Sequence, residues 1–217
     1  MSELDKAYET ADMLKALDLP ISKDQLENIE RLEKENGKEH REDLTLYFYE
    51  KCYANYTKRI LNIRQAKIRG EVIVAKPVLL LAIIDGVSSN IFKDNEFHLT
   101  EWLEARYLIL MQLYMKRSQF DKPTDISNPF WHLQSDGFWH LHFSEEPHDG
   151  MTPSKRWLKE NVSYACFDDD LWFLLQNKEW RIRLHDYIVK YKLTDGSQPG
   201  KIAAEGLGLI AALIIAA

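Results

Sequence analysis

Apolar residues recur at helical spacing through the first forty positions of the chain. Leu4, Tyr8, Ala11, Leu14 and Leu17 follow that spacing, and Leu19-Pro20 ends the run. Ser22 and Gln25, three residues apart, are the reciprocal pair of a capping box. They precede a second stripe through Leu26, Ile29 and Leu32 that closes at Gly37. Residues 44–63, rich in Tyr, Phe, Leu and Ile, predict a third helix. From Val78 to Ile84 every position is apolar, which suits a buried strand or a buried helix equally. Pro77 decides between them, because proline is favoured in the first turn of a helix and excluded from the middle of a sheet. The reading is a core helix that opens beside Lys76 and stops at Asp85-Gly86.

Further on, Thr100 caps an amphipathic helix with Trp102, Leu103, Leu108, Leu110, Leu113 and Tyr114 inward, ending near Arg117. Two aromatic runs, Pro129–Gln134 and Phe138–Phe143, flank Ser135-Asp136-Gly137. An Asp-Gly pair between such runs predicts a β-hairpin, since glycine accepts the positive φ the turn needs. Thr152-Pro153 opens another helix, Asp168 caps a short one through Leu175, and Lys178–Tyr191 forms the last. Together these predict an α+β fold, a mostly helical single domain with a small antiparallel hairpin packed on buried helices. Val78–Ile84, Phe130, Leu133 and Trp139 are its expected core. The chain divides into an acidic helical appendage over 1–43, a central module over 44–192, and a linker with a short apolar tail over 193–217. That tail falls far short of the ~20 apolar residues of a membrane-spanning helix, so no membrane partner is expected.

The formal net charge of −6 argues at first against a polyanionic partner. Its distribution reverses the inference. Residues 1–50 carry 14 acidic and 7 basic side chains, whereas residues 51–76 carry 7 basic ones against the single acid Glu71. Those bases are Lys51, Lys58, Arg59, Arg64, Lys67, Arg69 and Lys76. A nearby polyanion feels such a block locally, because charges are screened beyond about 8 Å at physiological salt. A solvated basic face with no ligand accounts for the same pattern. Hydrophobic residues at 45% exclude a disordered chain. Cys52 and Cys166, far apart and without metal-type spacing, fit a reducing, cytoplasmic setting, as does an acidic N-terminus without a signal-peptide pattern.

Catalytic patterns are missing. There is no nucleophile elbow, Walker A loop, dinucleotide fingerprint or nuclease motif. His140 and His142 alternate on a strand and share a face, with Glu145, His148 and Asp149 near in sequence. Partly exposed polar residues explain them as well as a metal site does. Asp168-Asp169-Asp170 reads as a helix N-terminus rather than a cation site. No cofactor, metal or catalytic residue is therefore expected.

Three blocks carry a resemblance. They are Leu61-Asn62-Ile63-Arg64 followed by Ala75-Lys76-Pro77-Val78-Leu79-Leu80-Leu81, then Asn128-Pro129-Phe130-Trp131-His132-Leu133 with Ser135-Asp136-Gly137-Phe138-Trp139, and finally Asp168-Asp169-Asp170-Leu171 leading into the Arg181–Tyr191 helix. In this order they resemble the sulfur-binding domain of HNH-type, modification-dependent restriction endonucleases, over roughly residues 45–191. The resemblance implies binding of double-stranded DNA whose backbone carries a phosphorothioate. It places Lys76 on the phosphate, Arg64, Lys67 and Arg69 on flanking phosphates, and Asn128, Pro129 and His132 at the modified-phosphate pocket. Where members of that family commonly have His before the Lys and Tyr before the Pro-Phe, this chain has Ala75 and Asn128. The family's HNH nuclease segment has no counterpart in this sequence.

The leading expectation is thus a DNA-binding module in a bacterial defence or restriction setting, without a nuclease centre of its own. Its expected partners are DNA and either a nuclease acting in trans or a second copy. Two other readings stay open. One is a protein-interaction or scaffold subunit built on the acidic helices and the apolar tail. The other is an HNH-related or metal-dependent nuclease around His140, His142 and His148.

Overall fold

The run from Ala75 to Val87 has almost no polar side, and a helix of that kind is stable only when enclosed. In the computed structural model, which describes residues 1–68, 70–115, 122–144, 147 and 153–194, it is the centre of the molecule. Ahead of it come α1 (Glu3–Ala16), α2 (Lys23–Glu35) and α3 (Glu42–Leu61), then the short strands β1 (Lys67–Ile68) and β2 (Glu71–Val72). The central helix is α4 (Ala75–Ser88), followed by α5 (Glu101–Tyr114), α6 (Ser127–His132) and a 3-10 turn over Leu133–Asp136. β3 (Trp139–Phe143), α7 (Lys155–Asn161), β4 (Val162–Phe167), α8 (Asp169–Gln176) and α9 (Lys178–Ile188) complete the order, with a π-type turn over Val189–Leu193. The fold is α+β and mostly helical, as expected. α5, α6, α8 and α9 all pack on α4, while α3 packs on α8 and α9. Val78 through Ile84 are at most 3% exposed, and Phe130, Leu133 and Trp139 at most 1%, so the predicted core is the observed one.

The helix starts follow the sequence signals. Ser2 and Ser22 each form a full capping box, and Thr100 accepts from the Leu103 N–H. α1 and α2 lie along the first half of α3, tied by Lys15–Asp43, Arg41–Asp12 and the Tyr47 hydroxyl on the Leu19 carbonyl. Their residues Ala11, Ile21, Leu26 and Ile29 join the same apolar core as α3 and α4.

Three expectations need correction. The first is the aromatic hairpin around Ser135-Asp136-Gly137. Residues 127–136 are helical, and β3 pairs antiparallel with β4, from Trp139↔Phe167 to Phe143↔Val162. Pro129 favours a helical first turn, and Gly137, at φ +81, closes it in the left-handed conformation. The Asp-Gly signal thus marked a helix end, and the strand 162–167 had no signal of its own strength. The second concerns α4, which begins at Ala75 and runs through Asp85-Gly86 to Ser88. The third concerns α5, where Tyr107 and Met111 face inward and Leu108 and Leu113, each 44% exposed, face out. The predicted end near Arg117 and the segments 145–146, 148–152 and 195–217 lie outside the described residues.

Gly86 sits inside α4 for a packing reason. A Cβ there would stand 2.4 Å from two ring carbons of Phe92 and 3.0 Å from Trp102. Phe92 cannot yield freely, because it is 8% exposed and set edge-on against both Phe97 and Trp102. Glycine-to-alanine in a helix interior normally gains up to ~1 kcal/mol, but overpacking of this kind costs ~1–3 kcal/mol. Gly86→Ala should therefore lower the thermal midpoint, and a calorimetric or circular-dichroism melt at or above the native midpoint would overturn the packing account.

Candidate nucleic-acid interface

The basic segment after α3 folds as a tight hairpin. β1 and β2 pair with register Lys67↔Val72 and Ile68↔Glu71, and Gly70, at φ +86, supplies the turn. The two arms are tied to each other at the base of the hairpin, where the Ile73 N–H donates to the Ala66 carbonyl (2.8 Å) and the Gln65 amide to the Ile73 carbonyl (3.0 Å). Lys67 and Arg64 are exposed. Arg69 lies outside the described residues.

Lys76 follows two residues into α4, whose first turn has no side-chain cap. Its ammonium donates to Asp136 Oδ2 (2.6 Å) and lies 3.4 Å from Ser135 Oγ. The Arg64 backbone N–H donates to the other oxygen of Asp136 (3.1 Å). Ser135 Oγ in turn donates to the His132 carbonyl (2.8 Å). The basic segment that leads into the hairpin, the start of α4 and the end of α6 therefore meet at the turn 135–137. Lys192 adds a further cation, its ammonium on the Leu61 carbonyl (3.0 Å) and pushed down from its ordinary pKa by burial.

On α6, Asn128 and His132 are exposed, and Pro129 is buried. Of the three residues expected at the modified-phosphate pocket, Pro129 is thus the covered one, next to the core residue Phe130. The exposed polar groups of this segment are its neighbours on either side.

A second hub stands behind the turn. Asp168 accepts from Arg59 Nη1 (2.7 Å) and the Tyr56 hydroxyl (3.0 Å), and lies 2.6 Å from His140 Nε2. Arg59 also donates to the Gly137 carbonyl. Burial pushes the Asp168 carboxyl up, but the hydrogen bonds from His140, Arg59 and Tyr56 outweigh it and hold the pKa below the ordinary value. Asp168 stands at the N-cap position of α8 yet makes no capping hydrogen bond, because these three groups have claimed its oxygens. His142 stacks on Tyr164 and lies 3.3 Å from Cys166 Sγ. Burial and nearby acids raise the Cys166 thiol, which keeps it protonated. Both cysteines are free thiols. No group of three or more His, Cys, Asp or Glu placed to hold a metal occurs among the described residues. Glu145, His148 and Asp149 lie outside them. Sequence reasoning missed Asp136, Asp168 and Arg59 as organising residues. Arg59 was visible only as one more cation of the basic block, and Asp136 only as a turn residue.

A family model for the ScoMcrA-like DNA sulfur-binding domain matches residues 54–208. The chain belongs to this family. The sulfur-binding-domain match spans every residue of the interface from Arg59 to Lys192, in agreement with the motif resemblance. Two solved structures align with the chain, and the first of them is alike in fold. The sulfur binding domain of ScoMcrA complexed with phosphorothioated DNA aligns with TM-score 0.50 and 19% identity, over 65% of this chain and 91% of that one. The corresponding domain of SprMcrA, also complexed with phosphorothioated DNA, gives 0.49 and 14%, over 66% and 86%. No curated protein matches.

The depressed Asp168 pKa carries a stability prediction. Its contribution is complete above the ordinary carboxylate value of about 3.9 and is lost as pH falls through the lower folded value. Asp168→Asn should cost about 1.5–3 kcal/mol at neutral pH, the range for hydrogen bonds to charged groups. Melts of both proteins across pH should converge only in acid, below the usual carboxylate range. A constant gap at every pH would show that the charge contributes nothing.

Proposed function

We propose that this chain is a double-stranded-DNA-binding module that grips the phosphate backbone and reads a phosphorothioate on it. Lys76, Arg64, Lys67 and Arg69 supply the grip, and Asn128 and His132, set in place by Pro129, form the reading side. The observation that carries this reading is the junction at 135–137, where the Arg64 backbone at the entry to the basic hairpin, the Lys76 ammonium and the end of α6 come together. It is supported by membership of the sulfur-binding-domain family and by the phosphorothioated DNA in the ScoMcrA structure of like fold. A phosphorothioate carries the charge of a phosphate, but its sulfur is larger, softer and less hydrated. Cations therefore hold both kinds of backbone, and discrimination falls to close contact with little water between. Pro129 acts in this scheme by setting the start of α6, so that Asn128 and His132 stand outward.

Binding should fall steeply with salt, since each neutralised phosphate contributes about 0.9 to the slope of log K against log salt. Arg64→Ala or Lys67→Ala should each reduce that slope by up to ~0.9 and weaken plain and modified duplexes alike. His132→Ala should instead erode the preference for the modified duplex while leaving plain-duplex affinity in place. Fluorescence anisotropy on matched duplexes at several salt concentrations reads all of these. Equal affinity of the native protein for both duplexes would end the sulfur-reading claim.

The acidic helices of residues 1–43, the cytoplasmic setting and a nuclease or second copy as partner belong to this proposal too. Among the described residues no helix is long and apolar enough to cross a membrane. One observation favours a second, interaction-based reading. Leu108, Ile109 and Leu113 leave an apolar strip on the outer side of α5, each 44–45% exposed. Sedimentation over a wide concentration range should reveal a dimer if that strip joins two copies, and a monomer throughout would discard self-association.

A further inference from the structure

The cation assigned to the phosphate is already occupied. The Lys76 and Asp136 side chains are only 11% and 5% exposed, and their charges meet at 2.6 Å. The Asp136 carboxylate is fixed from two sides, by Lys76 on Oδ2 and by the Arg64 backbone N–H on Oδ1. Its charge also reaches Lys192. A covered, doubly held carboxylate thus stands in the middle of the basic block, where a phosphate oxygen is expected to arrive.

We infer that Asp136 is an intramolecular stand-in for a DNA phosphate, an affinity-setting counter-charge that competes with the backbone for Lys76. The inference rests on the DNA-binding reading above. Carboxylate and phosphate oxygens offer an ammonium the same kind of charge-assisted acceptor. Lysine suits such an exchange, because its ammonium is a compact charge with three donors on a flexible stem. Moving Lys76 from Asp136 to a phosphate frees counterions from the DNA and exposes a carboxylate that attracts a cation of its own. The net gain from that contact is small while Asp136 is charged and becomes large once it is neutral. A purely structural role, fastening α4 to the turn 135–137, has the opposite sign. In that case loss of the charge loosens the junction and weakens binding.

The test compares the native protein, Asp136→Asn, Lys76→Ala and the double variant by anisotropy on plain and phosphorothioate duplexes across salt. Asparagine keeps the size of the side chain and an acceptor for the Arg64 N–H. Asp136→Asn should bind both duplexes roughly tenfold tighter, with a salt slope steeper by up to ~0.9, the share of one phosphate contact. The gain should vanish when Lys76 is alanine. Unchanged or weaker binding by Asp136→Asn, or a gain that persists without Lys76, overturns the counter-charge role while the native protein's binding keeps the DNA reading intact. Should the native protein and every variant bind neither duplex at low salt, the DNA reading falls and takes this inference with it. Melting curves monitor folding, and Asp136→Ser, held to the same outcomes, replaces the asparagine variant if that protein does not fold.

Discussion

A helix without a polar face dictates where everything else must go. α4 removes seven consecutive apolar residues, Val78 to Ile84, from water almost completely, and its neighbours α5, α6, α8 and α9 are positioned by that demand. Its charged residues lie towards its two ends. Lys76 is paired with Asp136 at the start, and Asp85 with Arg106 (2.6 Å) near the finish. Partly buried charges of this kind are tolerable only when paired, so the two ion pairs pin the core helix lengthwise. The basic hairpin and the turn 135–137 inherit their positions from the first of them.

The turn is also where the sheet is attached. Gly137 adopts a left-handed backbone, and a Cβ there would stand 3.3 Å from Arg59. Arg59 uses that room to bridge the Gly137 carbonyl and Asp168, and Asp168 passes the link to His140 on β3. Behind it, Trp139 is fully buried, stacked on Phe97 and donating its indole N–H to the Phe130 carbonyl (2.9 Å). Residues far apart in sequence, from α3, α6, β3 and the start of α8, are thereby fixed about one short turn. That arrangement is the kind of mounting the proposed phosphate-binding surface needs, since contacts to a duplex are lost when their supports move.

Much of this was legible in the sequence, for identifiable reasons. Capping residues and helical periodicity placed α1, α2, α3 and α9 closely, and Pro77 resolved the helix-or-strand ambiguity of the apolar run. The aromatic hairpin failed because alternation over a few residues cannot be told from the face of a short helix, and because glycine at positive φ serves helix ends as readily as hairpin turns. β4 was missed because its pairing with β3 is set by tertiary contact, not by a local turn. On α5 the apolar residues outnumber the inward positions, so pattern alone could not choose Tyr107 and Met111 over Leu108 and Leu113. The site was half legible. Lys76 and the basic segment were visible as charge, whereas the acidic partners that organise them, Asp136 and Asp168, reveal their roles only once the chain is folded.

The segregation of charge along α3 has a consequence for how the molecule moves. This helix has 20 residues and spans about 30 Å at the usual rise. The acidic pair α1–α2 lies along its first half, and the lysines and arginines gather at and beyond its far end. Acidic side chains on α1 and α2 and basic ones at its far end are thus set apart along α3. On the proposed DNA-binding reading, such a separation would turn the basic end toward a polyanion before contact and the acidic end away, so that fewer encounters are spent on the wrong side of the molecule.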